Sequence, residues 1–397
     1  MAYKATVAIA CYNKEKSVAR ALDSLVAQSR FEEFEVIVVD DCSKDNSAEI
    51  VAGYAEKYPN VRLIRFEKGS GGPSRPRNVA IEHSTGDYLI FMDPDDIVIN
   101  DGYSLLLTKM EEYRSDILIA ARVGVTQAGQ QVFVDFIDEQ FTYVNQNTPK
   151  IRRDLLYRRP FILKTIYRKG MIVDNGIRFN ENICTSEDES FDMWCVACAD
   201  KITKINDVVY QYTVESEGSI TTSIGMKVYE SYYDVLAELY HSYSLSFDAE
   251  TVAERLMRVT GDFYLPRVAF FDEYENIGKA CECLYRAFDQ FGREHFDALT
   301  NPESIALRDA LYAHDVSGYV QRALFNRVRS VMWRYGKVQA SLAETQAALA
   351  EAEAEVARQK KRVAKVKKRL AQAQEPPEAP TPKRHGLGSF INRHKKD

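Results

Sequence analysis

The sequence predicts an α/β protein built on a doubly wound sheet, and three features of its first part predict it. Short apolar runs rich in β-formers recur as far as Met92, helix-like stretches separate them, and three of the first four runs end on polar or acidic residues. Runs of this kind fit strands buried on both faces of a parallel sheet. In open α/β sheets of alternating strands and helices, ligands sit beyond the carboxyl ends of the strands.

In chain order, residues 6–10 are the first predicted strand, followed by Cys11-Tyr12-Asn13 and a helix near residues 17–28 with Ser17 as N-cap. Residues 35–39 form the second strand and lead into Asp40 and Asp41. A turn at residues 43–47 opens a helix that runs to Tyr58, and residues 61–66 form the third strand. Residues 88–92 form the fourth, which stops at Asp93, Asp95 and Asp96. Hard carboxylate oxygens gathered at one point suit Mg²⁺ or Mn²⁺, ions usually shared with substrate phosphates. The plainer alternative is an acidic turn in which Asp95 or Asp96 caps the next helix.

Between the third and fourth strands lies Gly69-Ser70-Gly71-Gly72-Pro73-Ser74-Arg75-Pro76-Arg77-Asn78. Glycines let the backbone approach a ligand closely, and a helix that follows presents its first amides to an anion. Two arginines add charge-assisted donors for phosphate or carboxylate. The spacing matches neither the dinucleotide fingerprint nor the Walker loop. A flexible surface loop with solvated arginines is the alternative.

At 397 residues there is room for two or more domains, and 45% apolar with 28% charged residues is ordinary for a soluble globular protein. No apolar run approaches the ~20 residues a membrane helix needs, and residues 7–11 are too short for a signal peptide. Seven cysteines without regular spacing indicate reduced thiols in a cytoplasmic setting, and six histidines show no zinc-ligand spacing. The net charge of −6 conceals an asymmetry. Residues 357–397 carry thirteen Lys/Arg against three Asp/Glu, a net of +10, which leaves −16 on the rest. Such a tail suits a polyanion, an anionic membrane surface or the protein's own acidic body. No nucleic-acid-binding motif accompanies it.

Five motifs carry a resemblance. Ala10-Cys-Tyr-Asn13, Val38-Val-Asp-Asp41, Gly71-Gly-Pro with Arg77-Asn78, Gly86-Asp-Tyr with Met92-Asp-Pro-Asp-Asp96, and Ser186-Glu-Asp188 follow one another as in family-2 glycosyltransferases of the GT-A fold. The likeness spans about residues 4–225, and the Gly-Gly-Pro-x-x-Pro-Arg-Asn loop is most similar to enzymes that attach N-acetylglucosamine to wall teichoic acid. The resemblance implies a nucleotide-sugar donor, UDP-linked, and a glycan or polyol-phosphate acceptor. It implies that Tyr12 stacks on uracil, Asp41 accepts its N3–H, Asp93 holds the ribose, and Asp95 ligates Mn²⁺ or Mg²⁺ at the diphosphate. Ala10, Gly71, Gly72, Arg77 and Asn78 complete the donor side, with Arg75 beside them.

By the same resemblance, residues 151–179 lead to the acceptor side, and Asp188 is the general base that takes the acceptor hydroxyl proton. Glu187 and Glu181 are neighbours of that base and candidates for the acceptor side. The residues alone offer another reading, since Ser186-x-x-Glu189 is a capping box. One departure stands out. Where the family commonly has Arg before Glu-Gly-Ser, this chain has Ser216, and Lys227 is a cation that can substitute.

The expected organisation is a GT-A catalytic domain at 1–225 and a helical domain at 226–336, with breaks at Pro266, Gly292 and Asn301-Pro302. A coiled-coil helix follows at 337–374, then a Pro-rich linker and basic tail at 375–397. Positions from Val338 to Ala373 alternate at heptad spacing, with an acidic first half and a basic second half that favour antiparallel self-association or an acidic partner. The whole reads as an inverting, metal-dependent glycosyltransferase, cytoplasmic or peripheral at the inner face of the plasma membrane. Its rivals are a sugar nucleotidyltransferase and a non-catalytic nucleotide-sugar-binding scaffold that assembles partners through the coiled coil.

Overall fold

The computed structural model describes residues 3–126, 129–134, 142–158, 162–183, 185–214, 225–268, 271, 274–319, 357–358 and 360–365. The chain divides into two units, Met1–Val320 and Gln321–Asp397. In the second, the described residues 357–358 and 360–365 are helical. The rest of the expected coiled coil, and all of the 375–397 tail, lie outside the described residues.

In the first unit, β1 (Ala5–Cys11), α1 (Val18–Val26), β2 (Phe34–Asp40), α2 (Ser47–Lys57), β3 (Val61–Arg65), α3 (Ser74–His83) and β4 (Tyr88–Met92) alternate along the chain. Every residue of β2 is buried, as an apolar run covered on both faces requires. β1 pairs in parallel with β2 on one side and β4 on the other, and β3 lies outside β2. The chain therefore leaves β3 at the sheet edge and returns beyond β1. That reversal of order opens a crevice outside the carboxyl ends of β1 and β4.

The remainder of the sheet is mixed. Next come β5 (Ile97–Val98), α4 (Gly102–Tyr113), β6 (Ile117–Thr126), β7 (Gln131–Val134), β8 (Tyr143–Gln146) and α5 (Pro149–Arg158). They are followed by β9 (Thr165–Arg168), α6 (Lys169–Asp174), α7 (Glu187–Cys198) and β10 (Ile202–Val214). β9 runs antiparallel to both β4 and β6, whereas β10 is parallel to β6 and antiparallel to β5 and β8. The doubly wound pattern thus holds for β1 to β4. Beyond them strand direction departs from it, because an apolar run announces a strand without announcing its direction.

Aromatic rings lock α7 to the sheet. Phe179 and Phe191 stack with centroids 4.1 Å apart, and Phe91 of β4 meets them edge-on at 5.2 and 5.4 Å. Such pairs contribute about 0.5–1.5 kcal/mol each beyond the area they bury.

After β10 the described elements are helical: α8 (Met226–Glu230), α9 (Tyr232–Ser244), α10 (Ala249–Val259), a π-helical turn (Thr260–Tyr264), α11 (Leu265–Val268), α12 (Tyr274–Phe291) and α13 (Pro302–Tyr312). Gly292, at φ +96, follows α12 in a conformation that glycine adopts without strain. Asn301 caps α13 by accepting from the Glu303 and Ser304 amides, with Pro302 just inside the helix. No helix among the described residues is long and apolar enough to cross a membrane.

Two glycines test the packing. A Cβ on Gly86 would lie 2.6–2.8 Å from the Ala5 and Thr6 backbone, whereas one on Gly53, in α2, meets nothing within 4 Å. Gly86→Ala should therefore lower the stability read from urea unfolding by about 1–3 kcal/mol through overpacking. Gly53→Ala should raise it by about 0.4–1 kcal/mol by restricting the unfolded chain.

Candidate active site

The crevice is walled first by the loops that leave β1 and β2. The Asp41 amide donates to the Cys11 carbonyl at 2.8 Å, and the Asn13 side chain accepts from the Lys44 amide at 2.8 Å. Asn13 and Cys42 both take positive φ, so the two loops turn tightly at the strand ends. Tyr12 is left 52% exposed there, an aromatic face open to a planar ligand. The Asp41 carboxylate is buried and accepts from the Ser70 amide at 2.7 Å and the Gly71 amide at 3.3 Å. It thereby fixes the glycine-rich loop over the crevice. Gly71 has φ +85, and the Lys227 ammonium lies 3.4 Å from its carbonyl oxygen.

The carboxylates after β4 divide the work. Asp93, Asp95 and Asp96 place ligand oxygens within 4.8 Å of one another. Asp96 faces inward, accepting from the Tyr210 hydroxyl at 2.8 Å and the Thr213 amide at 2.7 Å. Burial, reinforced by Asp93 and Asp95, pushes its carboxyl well above the ordinary range. Asp95 carries an ion pair with Lys14 at 2.7 Å, and its carbonyl accepts from Arg20 and Thr213. Burial also raises the Asp93 carboxyl, against the opposing pull of Arg77. Neither Asp95 nor Asp96 caps a helix. The next residues form β5, and Asp101 stands at the start of α4. With Asp96 engaged by β10, Asp95 and Asp93 are the oxygens that fit a divalent cation.

Arg77 joins this cluster to α7. Its guanidinium is buried, 3.2 Å from Asp93 and 2.9 Å from Glu187, and sits over the Phe179 ring. Burial disfavours its charge, and Asp93, Glu187 and Asp188 more than offset that. Burial, then the neighbouring Asp188, pushes Glu187 up to about 7 in spite of Arg77. Asp188 is half-buried beside it and accepts from the Glu189 amide at 2.9 Å.

The other expected residues fall nearby in different settings. The buried Asn78 amide donates to the Phe179 carbonyl and to Glu181, and accepts from the Phe179 amide. It ties α3 to the segment before α7, and Glu181 is exposed at its end. Arg75 lies over the Phe66 ring at 5.1 Å. Ala10 and Gly72 are half-buried along the crevice wall. The stretch containing Ser216, residues 215–224, lies outside the described residues. The capping box does not form. Ser186 has φ 61 and makes no side-chain cap bond, while Glu189 pairs with Arg255 at 2.5 Å instead of turning back to the Ser186 amide. Sequence reading missed Lys14, Tyr210 and Thr213. No local pattern along β10 singles out the last two.

Comparison with known proteins now bears on this crevice. Residues 6–166 match the model described as glycosyl transferase family 2. These residues form a family 2 glycosyltransferase domain. The chain is 33% identical over 236 residues to the poly(ribitol-phosphate) beta-N-acetylglucosaminyltransferase TarS of Staphylococcus aureus, which is 59% of this chain and 39% of TarS. It is 28% identical over 275 residues to a poly(ribitol-phosphate) beta-glucosyltransferase of Bacillus spizizenii, 69% of this chain and 41% of that one. The chain thus spans less than half the length of these relatives. Among solved structures, S. aureus TarS 1-349 in complex with UDP-GlcNAc superposes with a TM-score of 0.65 at 25% identity, covering 82% of this chain and 91% of that one. The α/β sheet of the glycosyltransferase domain is accordingly GT-A-like.

Glu187 gives the site a pH signature. Its carboxyl ionises near 4.5 when unfolded and at about 7 when folded, so the folded state holds the extra proton in between. The associated stability is complete below about 4.5 and is lost as pH rises through about 7. Glu187→Gln, which keeps the uncharged form at every pH, should remove that slope. From pH 5 to pH 8 the wild type should lose about 1–3 kcal/mol relative to the variant in urea unfolding.

Proposed function

We propose that this chain is an inverting, metal-dependent glycosyltransferase that moves a sugar from a UDP-linked donor to a hydroxyl of a polyol-phosphate acceptor. The observation that carries the reading is the Arg77 bridge. It unites the carboxylates after β4 with those that open α7, and Arg77 and Glu187 are themselves 110 residues apart in the chain. The likeness to a TarS structure solved with UDP-GlcNAc, and to enzymes of poly(ribitol phosphate), supports the choice of donor and acceptor.

In this reading Tyr12 stacks on the uracil, Asp41 accepts its N3–H with capacity left beyond the two loop amides, and Asp93 holds the ribose. Ala10, Gly71, Gly72 and Arg77 line the donor, and Lys227 adds a cation at the diphosphate. Asn78 lies along the donor with them, tied to the segment before α7, and Arg75 stands beside it. Asp95, with Asp93 beside it, would hold Mn²⁺ or Mg²⁺, which when bound neutralises charge on the departing diphosphate. Asp188 takes the proton of the acceptor hydroxyl as that oxygen attacks the anomeric carbon. The nucleoside diphosphate leaves from the opposite face, so the configuration inverts. Glu181 and Glu187 flank the acceptor side.

Further proposals concern the whole chain. Residues 1–225 form the catalytic domain and 226–336 a helical one, and the 338–373 coiled coil brings copies or an acidic partner together. The basic tail contacts an anionic membrane from the cytoplasmic side. Ser216 in place of the family's arginine favours a second reading, a nucleotide-sugar-binding scaffold without turnover.

The deciding experiment is a screen of nucleotide sugars with poly(ribitol phosphate), scored as nucleoside diphosphate released with Mn²⁺ and with chelator. Release from UDP-GlcNAc only with the metal supports the enzyme, and binding without release supports the scaffold. UDP with Mn²⁺ should raise the melting temperature more than UDP alone, by linkage worth roughly 2.7 kcal/mol at a hundredfold excess over Kd. Asp188→Asn should retain that shift and lose about 10²- to 10⁴-fold in transfer rate.

A further inference from the structure

Three consecutive carboxylates open α7, and they have three different surroundings. Glu187 is tied to Arg77 of α3 at 2.9 Å. Glu189 is tied to the helices beyond residue 225, accepting from Arg255 of α10 at 2.5 Å and from the Tyr243 hydroxyl of α9 at 2.5 Å. Asp188, between them, is half-buried and makes no ion pair among the described residues. Successive helical residues are about 100° apart, so anchoring the first and third fixes the direction of the second.

The residues just before α7 are held from the same side. The Tyr264 hydroxyl lies 2.8 Å from the Thr185 hydroxyl and 3.1 Å from that of Ser186. Ser186 is left-handed, at φ 61, a conformation that a side chain with a Cβ resists. Its own hydroxyl makes no cap bond. Tyr264 closes the π-helical turn Thr260–Tyr264, which departs from regular α-helix between α10 and α11. It is fully buried, packed on Tyr232 with centroids 4.4 Å apart, and its carbonyl accepts from the Tyr229 hydroxyl at 3.0 Å. Glu238 of α9 accepts from Ser190 at 2.7 Å and from Asn180 at 2.8 Å. The segment on both sides of Asp188 is therefore gripped by α9, α10 and the π turn.

The geometry points to a positioning role for these helices: Tyr264 on its π turn holds Ser186 left-handed, and Arg255 with Tyr243 holds Glu189, so that Asp188 faces the crevice. This rests on the reading of Asp188 as the base. The π turn is the device that fits the hydroxyl to its partners, since such bulges shift the register of a helix by one residue and recur at functional sites. Misplacement of a reacting group by about 1 Å can cost roughly a hundredfold in rate, so loss of one hydroxyl here has a kinetic reading.

The test uses the full chain, with UDP-GlcNAc, Mn²⁺ and poly(ribitol phosphate) as probes. Tyr264→Phe removes only the hydroxyl and should lower kcat about tenfold or more, with the KM for UDP-GlcNAc changed less than about twofold. Ser186→Gly supplies a residue that adopts positive φ without strain. Combined with Tyr264→Phe it should recover most of the lost kcat, which a purely structural defect would not do. Hydrogen exchange should speed up at the amides of residues 187–190 in Tyr264→Phe and slow again in the double variant. Wild-type kcat in Tyr264→Phe, or no recovery in the double variant, overturns the positioning role while Asp188→Asn remains inactive. Wild-type turnover in Asp188→Asn overturns both this role and the base assignment.

Discussion

A buried arginine holds the crevice together. Arg77 sits on the first turn and a half of α3, out of water, with Asp93 on one side and Glu187 on the other. Removing a guanidinium from water is costly, and the cost is met only where carboxylates complete its hydrogen bonds. Breaking a buried pair by removing one partner typically costs about 3–5 kcal/mol. That penalty makes the distance between the two halves of the site part of the folded state. The glycine-rich loop before α3 is set by Asp41, so the loop, the carboxylates after β4 and the start of α7 share one frame.

Within that frame β10 separates the roles of three adjacent carboxylates. The Tyr210 hydroxyl accepts from the Asp93 amide at 3.2 Å and donates to Asp96 at 2.8 Å. Thr213 reaches the Asp96 carboxylate with its amide and the Asp95 carbonyl with its hydroxyl. Three carboxylates so close would repel one another if all were ionised, and burial of Asp96 with its carboxyl raised relieves part of that repulsion. Asp95, paired with Lys14, and the half-buried Asp93, paired with Arg77, are the two whose carboxylates β10 does not take. The motif is thus one inward acid that builds the turn and two partly exposed ones paired with cations of the protein.

Much of this was legible in the sequence, for identifiable reasons. The runs that became β1, β2 and β4 are largely apolar on both faces, and their ends at Cys11, Asp40 and Met92 coincide with a switch to polar residues. The crevice followed from those ends together with the order of motifs. What stayed hidden depends on pairing across long separations. The antiparallel β9 is a four-residue strand whose direction no local pattern encodes. Tyr210 is one of 23 tyrosines and Lys14 one of 52 Lys/Arg residues, with no local pattern to single them out. Ser186-x-x-Glu189 misled because a local capping box and a pair of tertiary anchors use the same residue types. Arg255 and Tyr264 decided between them, and they lie far along the chain.

The cations about the crevice are engaged in different ways. Arg77 is already engaged by two carboxylates and is buried, so its charge is largely compensated within the protein. Lys14 lies against Asp95 at 2.7 Å, and the exposed Lys227 lies by Gly71. With Asp95 against Lys14 and Asp93 against Arg77, little positive charge there is left uncompensated. Like charges within a few ångströms interact strongly where water is partly excluded. A divalent cation held at Asp95 would change that balance by competing with the Lys14 ammonium for the carboxylate, and Lys14 would then be a cation within reach of an anionic ligand. The ion pair is in that sense a reserve of positive charge, held at the carboxylate until a stronger cation takes its place.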